Sequence, residues 1–160
     1  MNSTQPIPTD AHALKCEMAS EVLSSSGSLR LQVNGWSMLP SVLPGDVLIV
    51  QRASGHEVAE GDIVLFGRDG RLFAHRFIGR TLEGSRLLTR GDAMSASDPP
   101  VREQELMGKV TFILRDGRCI EPRKTLRAPA RAVAALVKRS VFAARVVVGV
   151  HGMRQASQTK

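Results

Sequence analysis

Ser37 lies in the run Gly35-Trp36-Ser37-Met38-Leu39-Pro40, a single histidine follows in Ala74-His75-Arg76-Phe77-Ile78, and two acids follow, Asp92 in Thr89-Arg90-Gly91-Asp92 and Asp98 beyond it. A serine in a tight Gly/Pro setting, then a histidine, then an acid pair, is what nucleophilic hydrolysis needs. A serine hydroxyl is inert at its free pKa and needs a base within hydrogen-bond reach. The base needs an acid to orient it. Imidazole, with an ordinary pKa near about 6.5, accepts a proton at neutral pH with little tuning.

The surroundings of each group sharpen these roles. Gly35 lets a substrate backbone come close to Ser37. Met38 and Leu39 are apolar and can pack the turn onto the domain. Gly35, Trp36 and Met38 flank the nucleophile and are the expected oxyanion and substrate contacts, with the Ser37 N–H as the natural first donor. Phe73, His75 and Phe77 share one face of a strand pattern, and Arg76 points the other way, where it can pair with an acid. Asp46 and Asp62 each follow a glycine and read as turn formers.

These boxes, with Gly45-Asp46, Gly61-Asp62-Ile63-Val64 and Gly108-Lys109-Val110 between and after them, resemble the type I signal peptidase and LexA-like group of serine peptidases over Leu29 to about Gly117. The resemblance implies coiled antiparallel β-sheets with the site in a groove at one edge. In the bacterial branch the base is a lysine. His75 at that place is similar to the branch that uses Ser, His and Asp. In that branch an acid follows the Gly-Asp pair by six residues, as Asp98 follows Asp92, so Asp98 is the first choice of orienting acid and Asp92 the second. Lys109 is the alternative base, since a Ser-Lys dyad is the LexA-like solution; such a lysine must be desolvated. The implied activity is serine endopeptidase, acting on a peptide or protein substrate. The alternatives are a LexA-like self-cleaving regulatory domain and a non-catalytic peptide-binding module on the same fold.

The bulk properties are those of one globular domain: 160 residues, 42% apolar, 23% charged. Five Phe, one Trp and no Tyr leave the core to aliphatic side chains. A formal charge of +7 permits anionic partners without requiring them, and no nucleic-acid partner is expected. Cys16 and Cys119 stand in separate segments and read as unlinked thiols. The four histidines, His12, His56, His75 and His151, are scattered, so neither metal nor other cofactor is expected. The first residues have no apolar core of a signal peptide, and no run reaches the roughly 18–20 apolar residues of a membrane span. On this reading the chain is cytoplasmic, unlike true signal peptidases, which are anchored by such a helix.

The elements that must position the three groups are short strands. Residues 1–28 read as a tail followed by a helix over Ala11–Ser24, with Asp10 as N-cap and Leu14, Met18, Val22 and Leu23 at helical spacing; this helix caps the domain. Residues 29–121 form the catalytic β domain, with strands at 29–33, 46–50, 63–66, 71–78, 86–89, 106–114 and 119–120. Residues 122–160 comprise a basic linker, an amphipathic helix over 130–150 and a polar tail. Arg131, Lys138 and Arg145 recur every seven residues there. Two placements suit this helix: on an anionic bilayer surface, as a peripheral membrane contact, or packed against the body or a partner. The oligomeric state is not legible.

Overall fold

The computed structural model of the chain describes residues 11–126 and 132–136. The expected tail with its Asp10 cap and most of the expected 130–150 helix lie outside the described residues. Helix α1 spans Ala11–Ser26 and is followed by eight strands. They are β1 (Ser28–Gln32), β2 (Val47–Arg52), β3 (Ile63–Arg68), β4 (Arg71–Arg80), β5 (Arg86–Arg90), β6 (Val101–Arg102), β7 (Leu106–Arg115) and β8 (Arg118–Ile120). All pair antiparallel in the order β1-β2-β7-β3-β4-β5-β6, with β8 on β7. The fold is therefore mainly β, as expected.

Side chains of a strand alternate between faces. In β3, Ile63 and Leu65 enter one cluster with Leu48, Val50, Val110 and Ile113, while Val64 and Phe66 enter a second with Phe77, Leu87 and Val101. Hence this short apolar run is buried on both faces. Each large aliphatic buried in this way stabilises the fold by about 1.5–3 kcal/mol. The histidine candidate comes from β4, the neighbour of β3 in the sheet. The β3–β4 and β7–β8 hairpins turn on Asp69-Gly70 and Asp116-Gly117, all four residues at positive φ, the type I′ pattern that Asp-Gly favours.

Helix α1 caps the sheet, and of the four residues the spacing picks out only Leu23 enters the core. Leu14, Met18 and Val22 are 57%, 56% and 39% exposed, whereas Ala19 and Leu23 are buried. The reason is the depth of the contact. A Cβ on Gly67 would lie 2.6 Å from the Cys16 sulfur, so helix and hairpin approach closely there. Cys16 and Cys119 are both free thiols.

Candidate active site

Ser37 is carried by the long connection between β1 and β2. The loop is anchored from below: Met38, Leu39 and Val42 are buried, the Leu39 N–H donates to the Trp36 carbonyl at 3.1 Å and the Val42 N–H to the Met38 carbonyl at 3.0 Å. This tight turn lifts the Ser37 side chain off the domain. His75 comes from β4 and packs against the stacked rings of Phe66 and Phe73, at 6.1 and 6.0 Å between centroids. Asp98 comes from the loop between β5 and β6.

The three meet in one line. The Ser37 hydroxyl is 2.9 Å from His75 Nε2, and His75 Nδ1 is 2.7 Å from Asp98 Oδ2. An ionised carboxylate can only accept, so the proton of the neutral ring belongs on Nδ1 and Nε2 is left to accept from the hydroxyl. His75 is 6% exposed. Burial by itself pushes the Asp98 carboxyl up. The hydrogen bonds from His75 and Thr89, and the charges of His75 and Arg68, more than offset this and hold it below the ordinary carboxylate value.

Asp92 is not brought to His75. It faces Arg76 on the other side of β4. Arg76 Nε and Nη2 donate to Oδ1 and Oδ2 of Asp92, each at 2.7 Å, and the Ser41 hydroxyl donates to Oδ2 as well. Arg76 Nη1 also donates to the carbonyls of Gly61 and Arg123 at 2.6 and 2.7 Å. The segment around Asp92 grips the nucleophile loop directly: the Ala93 N–H donates to the Ser37 carbonyl at 2.9 Å. Gly91 lies so near that a Cβ there would be 2.6 Å from the same carbonyl oxygen. Asp92 thus shapes the backbone beneath Ser37 rather than orienting the histidine.

Lys109 is on β7, across Val64 from His75 in the ladder, and its Nζ donates to the Glu57 carbonyl at 2.9 Å. It is engaged away from Ser37. Of the turn acids, Asp62 accepts from the Ala59 N–H at 2.9 Å and Asp46 from the Leu43 N–H at 2.8 Å. Asp46 is fully buried and also forks with Arg115 at 2.9 and 2.6 Å. Trp36 is 43% exposed beside Ser37, open to a ligand, while Met38 faces inward. Among the described residues no three His, Cys, Asp or Glu side chains gather as a metal-binding group. No described helix is long and apolar enough to cross a membrane.

Two groups around the acid escaped the sequence reading. Thr89 donates its hydroxyl to Asp98 Oδ2 at 2.7 Å. Arg68 binds the carbonyls of Pro99 and Pro100 at 3.0 and 3.1 Å and forks with Glu105 at 3.1 and 3.0 Å. The signal for Thr89 was its place in the Thr89-Arg90-Gly91-Asp92 box; a lone arginine such as Arg68 leaves no comparable mark.

The Arg68–Glu105 fork has a testable consequence for stability. Hydrogen bonding from Arg68, above all, lowers the Glu105 carboxyl to about 2 from 4.5. A carboxyl depressed on folding contributes stability that is complete above its unfolded value and is lost as pH falls through the folded one. Glu105→Gln should therefore flatten the fall in melting temperature between about pH 4.5 and pH 2. Thermal melts of both proteins across that window check this; equal slopes would show that the fork carries no such linkage.

Among models of known protein families, the one described as Peptidase S24-like matches residues 3–111 of the chain. No curated protein matches it.

Proposed function

The chain belongs to the Peptidase S24-like family, and from that premise we propose that it is a serine endopeptidase with Ser37 as nucleophile, His75 as general base and Asp98 as the acid that orients His75. The observation that carries the reading is the unbroken line from the Ser37 hydroxyl through both ring nitrogens to Asp98, at 2.9 and 2.7 Å. Hydroxyl and base are at the separation that proton transfer requires.

In this mechanism His75 Nε2 takes the hydroxyl proton as Ser37 Oγ attacks the scissile carbonyl carbon. The carbonyl becomes an oxyanion, which the Ser37 N–H stabilises. The imidazolium then gives its proton to the leaving amine, and the acyl group stays on Ser37. Water, deprotonated by the same nitrogen, hydrolyses the ester and restores the serine. Asp98 remains a carboxylate throughout.

A strand edge beside the relay supports a peptide substrate. β4 pairs with β3 over Arg71–Arg76, but with β5 only from Arg76 onward. Among the described residues the other edge of Arg71–His75 has no strand partner. An extended peptide added there would gain main-chain hydrogen bonds and lie beside the nucleophile.

Self-cleavage is the second reading, and one observation favours it. Helix α1 starts against the Gly70 turn, where a Cβ would be 3.3 Å from Ala13, so the first turn of the helix lies at the head of that edge.

A fluorophosphonate probe tests the chemistry without a known substrate. The folded protein should be labelled once, at Ser37, and Ser37→Ala not at all. A folded wild-type chain that resists labelling from pH 6 to 9 would leave only the non-catalytic binding module.

A further inference from the structure

We propose that Thr89 is a positioning residue of the relay: its hydroxyl fixes the angle at which the Asp98 carboxylate meets His75. The proposal rests on the serine-peptidase reading above.

Thr89 is fully buried and touches Asp98 twice. Its hydroxyl donates to Oδ2 at 2.7 Å, the same oxygen that accepts from His75 Nδ1 at 2.7 Å. Its carbonyl accepts from the Asp98 N–H at 2.8 Å. The two partners differ in rigidity. Thr89 belongs to β5 and pairs with Phe77 of β4, on the sheet face that His75 also uses. Its branched Cβ restricts the hydroxyl further. Asp98 sits in a connection between strands, and a carboxylate rotates freely about its last bond. A donor fixed in the same sheet as His75 therefore sets where the shared oxygen lies. Without it, only His75 would hold the carboxylate, and its angle would be left to the loop backbone.

The other charged groups near the pair leave this oxygen to Thr89 and His75. Arg68 of β3 grips the Pro99 and Pro100 carbonyls and Glu105, not the Asp98 carboxylate. Lys109 of β7 is bonded to the Glu57 carbonyl. Arg76 and Asp92 pair with each other on the opposite face of β4.

The test uses the full chain and a fluorophosphonate probe, with labelling rates measured from pH 5 to 9 for the wild type, Thr89→Val and Thr89→Ser. Valine keeps the shape and removes the donor. The plateau rate should fall roughly tenfold, the value of one hydrogen bond to a charged group. The acid limb should move to higher pH by roughly half a unit to one unit, because a less neutralised carboxylate favours the imidazolium more. Serine keeps the donor and should restore the wild-type limb. A Thr89→Val protein with the wild-type limb and plateau overturns the proposal, and so does a Thr89→Ser protein as impaired as Thr89→Val. Proton NMR of the wild type gives a readout independent of activity and of any variant's folding. The Thr89 hydroxyl proton should exchange slowly and lie close to the His75 Nδ1 proton; its absence there overturns the proposal as well. A wild type that shows this contact but takes no label would instead refute the peptidase reading.

Discussion

Ser37→Ala and His75→Ala are each expected to lower hydrolysis by about 10³-fold or more, with the fold intact. The two act as one unit across 2.9 Å. Without the hydroxyl there is no bond to form; without Nε2 the hydroxyl keeps its proton. The double variant should therefore be no slower than either single one, since the second change removes a function already lost. Circular dichroism should be unchanged, because neither side chain belongs to the two main apolar clusters. Peptidase assays on a peptide library, run beside labelling, supply the measurement. Full activity in Ser37→Ala would refute the assignment outright, and additive losses in the double variant would show that His75 acts elsewhere.

The second large effect separates two acids that lie six residues apart in the chain and on different faces of β4. Asp98→Asn should leave the melting temperature nearly as it was and slow the reaction by on the order of 10³- to 10⁴-fold, because an amide at this place favours the wrong histidine tautomer. Asp92→Asn should do the reverse first. Its partner Arg76 is buried, with 10% of its side chain exposed against 5% for Asp92. Neutralising one member of such a pair leaves a buried charge uncompensated, which costs about 3 kcal/mol or more. For a chain of this size that lowers the melting temperature by roughly 6–12 °C. Activity should fall as well, since the Ala93 N–H and Gly91 support the Ser37 backbone. Replacing both partners, Arg76→Met with Asp92→Leu, should recover much of the stability. If Asp98→Asn is the unstable variant and Asp92→Asn the stable, inactive one, the two roles are exchanged.

How far the sequence reaches can be seen element by element. Seven of the eight strand positions were legible because alternation and Asp-Gly turns are local signals; β6, two residues long, is too short to show either. The two hairpins follow from two dipeptides, and β3 shows as a short apolar run. The candidates Ser37 and His75 and the pair Asp92 and Asp98 stood out from the short boxes around them, and the structure brings Ser37, His75 and Asp98 into hydrogen-bond contact. Three matters were decided only by the tertiary structure. Which acid meets the histidine depends on how the chain leaves β5: Asp92 turns under the sheet to Arg76, while Asp98 returns to the face of His75. Helical spacing marked Leu14, Met18, Val22 and Leu23, yet of these only Leu23 is buried, beside Ala19, since α1 comes close to the sheet at Gly67. Thr89 and Arg68 owe their roles to partners 9 and 37 residues away, Asp98 and Glu105. A hydrogen bond between such partners depends on strand register and loop path, and residue type alone encodes neither.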